Sequence, residues 1–113
     1  MIQTHDSLNT LFQALADPYR RGMVDQLARG PASVKELARA HDMAMPSAVK
    51  HLKVLESAGL VTSQKAGRVR TFAVRAQALQ SIDDWLAGHK RALNAAFDRL
   101  QQLMEDEQRA GKP

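Results

Sequence analysis

The sequence of 113 residues contains no cysteine. Disulfide frameworks, thiolate metal sites and cysteine nucleophiles are thereby excluded. No apolar run approaches the length a membrane span needs, and "MIQTHDSLNTLF" lacks a basic stretch followed by an apolar one, so the expected location is cytoplasmic. A Gly-rich phosphate loop is missing, and no serine stands with His and Asp in a recognisable arrangement, so nothing asks for catalysis or for a cofactor. There is no internal repeat and no low-complexity linker. At this length that implies one domain, residues 1–113.

What is present is the composition of a folded, basic protein. Hydrophobic residues make up 44% and charged residues 25%, which argues against global disorder. Sixteen Lys and Arg against twelve Asp and Glu leave a net charge of +4 and a pI near 9.9, the sign expected of a partner for polyanions.

Helical punctuation dominates the first half. Leu8, Leu11, Phe12 and Leu15 fall at i, i+3, i+4 and i+7, one stripe of a first helix over about 6–16. In "DPYRRGMVDQLARGP", Asp17 reads as an N-cap, Pro18 as the first helical position, and Gly30-Pro31 as a stop. Ser33 and Glu36 form a capping box that starts a short third helix ending near "HDM". Pro46 marks the first turn of a fourth, which Gly59 ends as a left-handed cap. The run "LVTSQKAGRVRTFAV" then alternates around Ala66-Gly67 and reads as a two-stranded hairpin. Leu79, Ile82, Leu86, His89, Leu93, Ala96, Leu100 and Leu103 follow in steps of three and four, a heptad seam on one long helix over about 77–106, with a polar, frayed tail from Glu105.

Two short helices joined by a tight turn and followed by a hairpin describe a winged helix-turn-helix. The expected fold is therefore mainly α with a two-stranded β-hairpin wing, in the order ααααββα, with its DNA-binding core over about 17–75. On the fourth helix Ala48, Leu52, Leu55 and Gly59 share one face, while Lys50, Lys53 and Ser57 point the other way. Beside the small Ser47 and Val49, those lysines suit contact with phosphates and base edges in a major groove. Lys65, Arg68 and Arg70 gather at the hairpin tip, and Glu56 is the single acidic residue between Lys50 and Arg75. Positive charge is thus concentrated where a wing would follow a phosphate backbone. The candidate DNA contacts are Met45, Ser47, Val49, Lys50, Lys53, Lys65, Arg68 and Arg70, with Met45 and Val49 open to an alternative reading as partial core.

The segment "LADPYRRGMVDQLARGPASVKELARAHDMAMPSAVKHLKVLESAGLVTSQKAGRVRTFAV" resembles the core of the ArsR-type winged-helix repressors, through "LADPYRR", "VKELA", "PSAVKHLKVLESAGLV" and "GRVRTFAV". That resemblance implies a homodimeric, DNA-binding transcriptional regulator, a repressor on a palindromic operator, with its first and last helices making the dimer. The seam of the last helix asks for such a partner independently. Leu8, Leu11, Leu86, His89, Leu93, Ala96 and Leu100 are the expected dimer residues. The metal-sensing members carry a cysteine pair where this chain has Ala38 and Ala40, and Asp83, Asp84 and His89 do not reproduce the carboxylate-imidazole spacing of the zinc-binding members. The resemblance therefore implies the non-metal-sensing branch, with no metal ligands and an inducer, if one exists, of unidentified chemistry.

The remaining features have plainer readings. His51 lies toward the inner edge of its helix and reads as a packed histidine, while His41 and His5 look like turn and terminal residues. Arg20 and Arg21 suit either a phosphate anchor or an internal ion pair. Ala44 stands where the family commonly caps the recognition helix with a hydroxyl, a role left to Asp42 or a DNA phosphate. A winged-helix module that packs against another protein is the alternative function. It would call for an acidic or apolar segment from Lys50 to Arg75.

Overall fold

The computed structural model describes the backbone over residues 4–111 and side chains over 7–111; the side chain of His5 and the terminal Lys112 and Pro113 lie outside the described residues. The elements are α1 (Thr4–Leu15), α2 (Pro18–Arg29), β1 (Ala32–Ser33), α3 (Val34–Ala40), α4 (Met45–Ser57), β2 (Val61–Ala66), β3 (Val69–Val74) and α5 (Ala76–Ala110). They form two compact units, one up to Gln80 and one from Ser81.

In the first unit, each helix boundary has a chemical cause. Asp17 accepts from the backbone N–H groups of Tyr19 (2.8 Å) and Arg20 (3.1 Å), two of the donors a helix start leaves without partners. Ser33 and Glu36 make the reciprocal box: the Glu36 N–H donates to Ser33 Oγ at 3.2 Å and the Ser33 N–H to Glu36 Oε1 at 3.0 Å. At the end of α4, Gly59 adopts φ 81°, with its N–H on the Glu56 carbonyl and the Leu60 N–H on the Leu55 carbonyl. That pair of bonds is a Schellman closure, and the left-handed residue it needs is disfavoured for any side chain with a Cβ.

Arg20 and Arg21 make no internal ion pair among the described residues and bond to backbone carbonyls instead. Arg20 Nε donates to the Ala14 carbonyl at 2.6 Å and its Nη2 to Gln13 at 3.2 Å, while Arg21 Nη1 donates to Leu15 at 2.7 Å. The two guanidinium groups cap the C-terminus of α1, where unpaired carbonyls and the helix dipole both favour a cation.

The sheet has three strands, not the two expected, in the order β1-β3-β2. Ala32 and Ser33 pair antiparallel with Phe72 and Thr71, so a strand precedes α3. Two residues after a proline show no alternation to read, and only their partner strand defines them. Between β2 and β3 the register runs from Val61↔Val74 to Ala66↔Val69, leaving Gly67 and Arg68 as the turn. Gly67 has φ 61° and Arg68 no positive φ, the II′ pattern in which glycine takes the first central position.

The core of this unit joins Leu11, Met23, Leu27, Leu37, Leu52, Leu55, Leu60, Val61 and Phe72, and no polar or charged residue is buried among the described residues. Leu11, expected at a dimer surface, is only 5% exposed and belongs to this core. The second unit is the rest of α5, and none of its described residues is buried. The helix continues to Ala110 and does not fray from Glu105, because Gln101–Glu105, Gln102–Asp106 and Asp106–Arg109 pair along one surface at i, i+4 and i, i+3. Among the described residues no helix is long and apolar enough to cross a membrane.

The caps couple stability to acid. The Arg20 N–H holds the Asp17 carboxyl below the usual range against partial desolvation, helped by the Tyr19 N–H and by the charges of Arg20 and His51. The N–H and then the hydroxyl of Ser33 lower Glu36 likewise. A carboxyl whose folded pKa lies below its unfolded value stabilises the fold above that unfolded value, and the contribution is lost as pH falls through the folded one. Asp17→Asn with Glu36→Gln keeps an acceptor at each cap and removes the titration, so thermal unfolding midpoints should fall less steeply on the acid side than in the parent. An equally steep acid limb would place the linkage elsewhere.

Candidate nucleic-acid interface

The rotation of α4 about its axis is set from inside. Ala48, Leu52 and Leu55 are each at most 1% exposed and pack toward α2, α3 and β2. At about 100° per residue this turns Ser47, Lys50, Lys53 and Ser57 outward, and all four are exposed. Met45 and Val49 are exposed at 47% and 37%, which removes the alternative of a core position for either. His51 is half-buried, its ring stacked on Tyr19 with centroids 6.0 Å apart, as expected of a packed histidine.

The N-terminus of α4 has no side-chain cap. Ala44 occupies the cap position and offers no acceptor, and Asp42 does not take over that role. Asp42 instead sits in the turn with φ 50°, a conformation that short polar side chains tolerate. The first turn of the helix therefore presents backbone donors beside Ser47 to whatever lies in front of it.

The hairpin adds charge in two different ways. Lys65 and Arg68 are exposed, and neither side chain has a hydrogen bond or ion pair among the described residues; the same holds for the side chains of Lys50 and Lys53. Arg70 is engaged. Its Nη1 donates to Ser63 Oγ at 2.9 Å, and that hydroxyl donates to Glu56 Oε2 on α4 at 2.6 Å. The chain of spacing that groups Arg70 with Lys65 and Arg68 in sequence gives no sign of this bond, because it depends on a diagonal pairing across the strands.

On α5, Leu86, Leu93 and Leu100 are exposed, with Leu93 at 54%, as are His89 and Ala96. Phe97 and Met104, which the heptad reading passed over, are exposed at 58% each and lie four residues beyond Leu93 and Leu100, widening the same apolar surface. His89 donates from Nδ1 to the Trp85 carbonyl at 2.9 Å, and its ring lies 4.2 Å from the Trp85 ring. In the first unit Leu8 is half-buried. Ala38 is buried and Ala40 exposed on α3, and no group of three or more His, Asp or Glu side chains is placed to hold a metal among the described residues.

Comparison with known proteins agrees with this geometry. A family model described as a helix-turn-helix domain matches residues 15–64. The chain is 40% identical over 81 residues to the HTH-type transcriptional regulator Rv2034 of Mycobacterium tuberculosis, covering 72% of this chain and 76% of that protein. It is 45% identical to the crystal structure of an ArsR family transcriptional regulator, covering 83% of this chain and 97% of that one with a TM-score of 0.75. The solution structure of a homodimeric winged helix-turn-helix DNA-binding domain (fragment 1-100) from Mycobacterium bovis is 25% identical, covers 77% and 82% of the two chains, and has a TM-score of 0.64. By sequence and by fold, this chain belongs to the ArsR family of winged helix-turn-helix transcriptional regulators.

Proposed function

We propose that the protein is a homodimeric transcriptional regulator that binds a palindromic duplex operator and represses by occupying it. One observation carries the reading: the outward face of α4 and the tip of the β2–β3 hairpin present Lys50, Lys53, Lys65 and Arg68 exposed and without partners among the described residues. Cations left unpaired by the fold are available to phosphates, and their release of condensed counterions drives association with a duplex. Residues about 17–75 form the DNA-binding core. Met45, Ser47, Val49, Lys50 and Lys53 lie in the major groove, while Lys65 and Arg68 reach the flanking backbone. The uncapped start of α4 favours a phosphate at that helix end, where its free N–H groups and dipole converge.

Dimerisation follows from α5. Leu86, Leu93, Phe97, Leu100 and Met104 are too much apolar surface to leave in water, and a two-fold partner presents the same stripe in return. His89 and Ala96 sit in that seam, and Leu8, half-buried on α1, stays among the proposed dimer residues. The related domain from Mycobacterium bovis is itself homodimeric, which supports the reading. Two recognition helices related by a two-fold axis explain a palindromic site with half-sites about one helical turn apart. The reading assigns no catalysis, no metal and no inducer. The rival, a protein-docking winged helix, has nothing in the predominantly basic charge of α4 and the hairpin to favour it.

Selection of bound fragments from a random duplex pool tests the function: a recovered inverted repeat is expected, and recovery of no consensus would refute sequence-specific binding. On that site, Arg68→Ala should weaken cognate and scrambled duplexes by similar factors and lower the salt slope by about one unit, since one fewer phosphate is neutralised. Lys50→Ala should cost the cognate site about 1 to 3 kcal/mol more than the scrambled one if the lysine reads a base edge. An unchanged ratio of affinities for Lys50→Ala would move base reading to Ser47 or Val49. For the dimer, sedimentation should show two copies of the parent at micromolar concentration and one of Leu93→Asp; a monomeric parent would remove the α5 interface from the reading.

A further inference from the structure

Arg70 is the one cation of the recognition helix and hairpin tip that the fold already uses. It lies on the face of β3 that carries Phe72, directly opposite Lys65 in the register. Two like charges facing each other across a ladder repel. Arg70 resolves this by reaching diagonally to Ser63, whose hydroxyl passes the interaction to Glu56, the single acidic residue between Lys50 and Arg75. Both bonds have an ionised partner, and the central hydroxyl accepts from one and donates to the other. Such bonds are stronger than neutral ones and polarise each other. The chain ends on α4, because Glu56 follows Val49 and Lys53 by seven and three residues on the helix surface.

We propose that Arg70 is a positioning residue and not a phosphate ligand: through Ser63 and Glu56 it fixes the hairpin to the recognition helix and so sets where the wing falls when α4 lies in the groove. The DNA part of this inference rests on the function proposed above; the chain itself does not. It also gives a role to the acidic side chain in an otherwise basic segment. Glu56 supplies the acceptor that turns the Ser63 hydroxyl toward α4, and its charge balances Arg70. The phosphate-binding charge of the hairpin then belongs to Lys65 and Arg68.

Four variants of the full chain separate the alternatives: Ser63→Ala, Arg70→Ala, the two together, and Glu56→Gln. Each is titrated with the selected duplex and with a scrambled one across salt concentrations. Expected are a fall of about threefold or more in the ratio of cognate to scrambled affinity for each of the first two, no further fall in the double variant, and an unchanged salt slope. Ser63→Ala removes no charge, so loss of a counterion-releasing phosphate contact cannot produce its effect. Glu56→Gln keeps an acceptor for the hydroxyl but removes the charge that strengthens the bond, so the ratio should fall by less than in Ser63→Ala. A drop of about one unit in the salt slope for Arg70→Ala, with Ser63→Ala silent, would make Arg70 a phosphate ligand and overturn the proposal. In the absence of DNA, urea unfolding of the same set should be non-additive by at least about twofold in the unfolding constant for Ser63 and Arg70. Additive values would overturn the chain of bonds itself. A parent that binds no duplex selectively would refute the function, and the unfolding cycle would still decide the chain.

Discussion

Burial of Ala48, Leu52 and Leu55 on the inner side of α4 is the constraint from which the interface follows. A helix is a rigid angular ruler, so anchoring three of its residues fixes the direction of all the others. Each buried leucine contributes about 1.5 to 3 kcal/mol, whereas an N-cap without a hydroxyl costs about 1 kcal/mol. Packing therefore outweighs the missing cap at Ala44, and α4 begins at Met45 regardless. The outward residues carry no part of this energy and are free to differ for recognition.

The hairpin is held by the same logic at its root and by polar bonds further out. The Schellman closure at Gly59 points the chain from α4 straight into β2, and Leu60 and Val61 are buried as soon as it does so. The Arg75 N–H closes the far strand by donating to the Leu60 carbonyl at 2.8 Å. Beyond Phe72 the apolar contacts end. There Ser63, Arg70 and Glu56 connect strand to helix, while Gly67 and Arg68 turn at the tip.

The second unit shows the complementary situation. From Ser81 onward α5 buries nothing, although Leu86, Leu93, Phe97 and Leu100 repeat on one side. Its backbone bonds and its polar pairs near Glu105 and Asp106 sustain the helix, but such pairs contribute only tenths of a kcal/mol each and cannot bury the stripe. In the proposed dimer the stripe meets its own copy, which supplies the burial this unit lacks.

Much of this is legible in the sequence alone. Capping chemistry is local in sequence, so Asp17, Ser33 with Glu36, and Gly59 announced helix boundaries that the structure carries. The 3.6-residue period exposed both the inner face of α4 and the stripe on α5, since periodicity depends on composition along one element. Where two elements must meet, sequence was silent. The β1 strand exists only because Phe72 and Thr71 lie beside it, Leu11 is core because neighbouring elements cover it, and Arg20 and Arg21 cap a helix that precedes them. Arg70 looked like its neighbours Lys65 and Arg68 until the register placed Ser63 and Glu56 within reach. Spacing along the chain determined which residues share a face; tertiary structure alone decided which of those faces, and which charges upon them, were already taken, because hydrogen bonds and burial depend on distances that the order of residues does not contain.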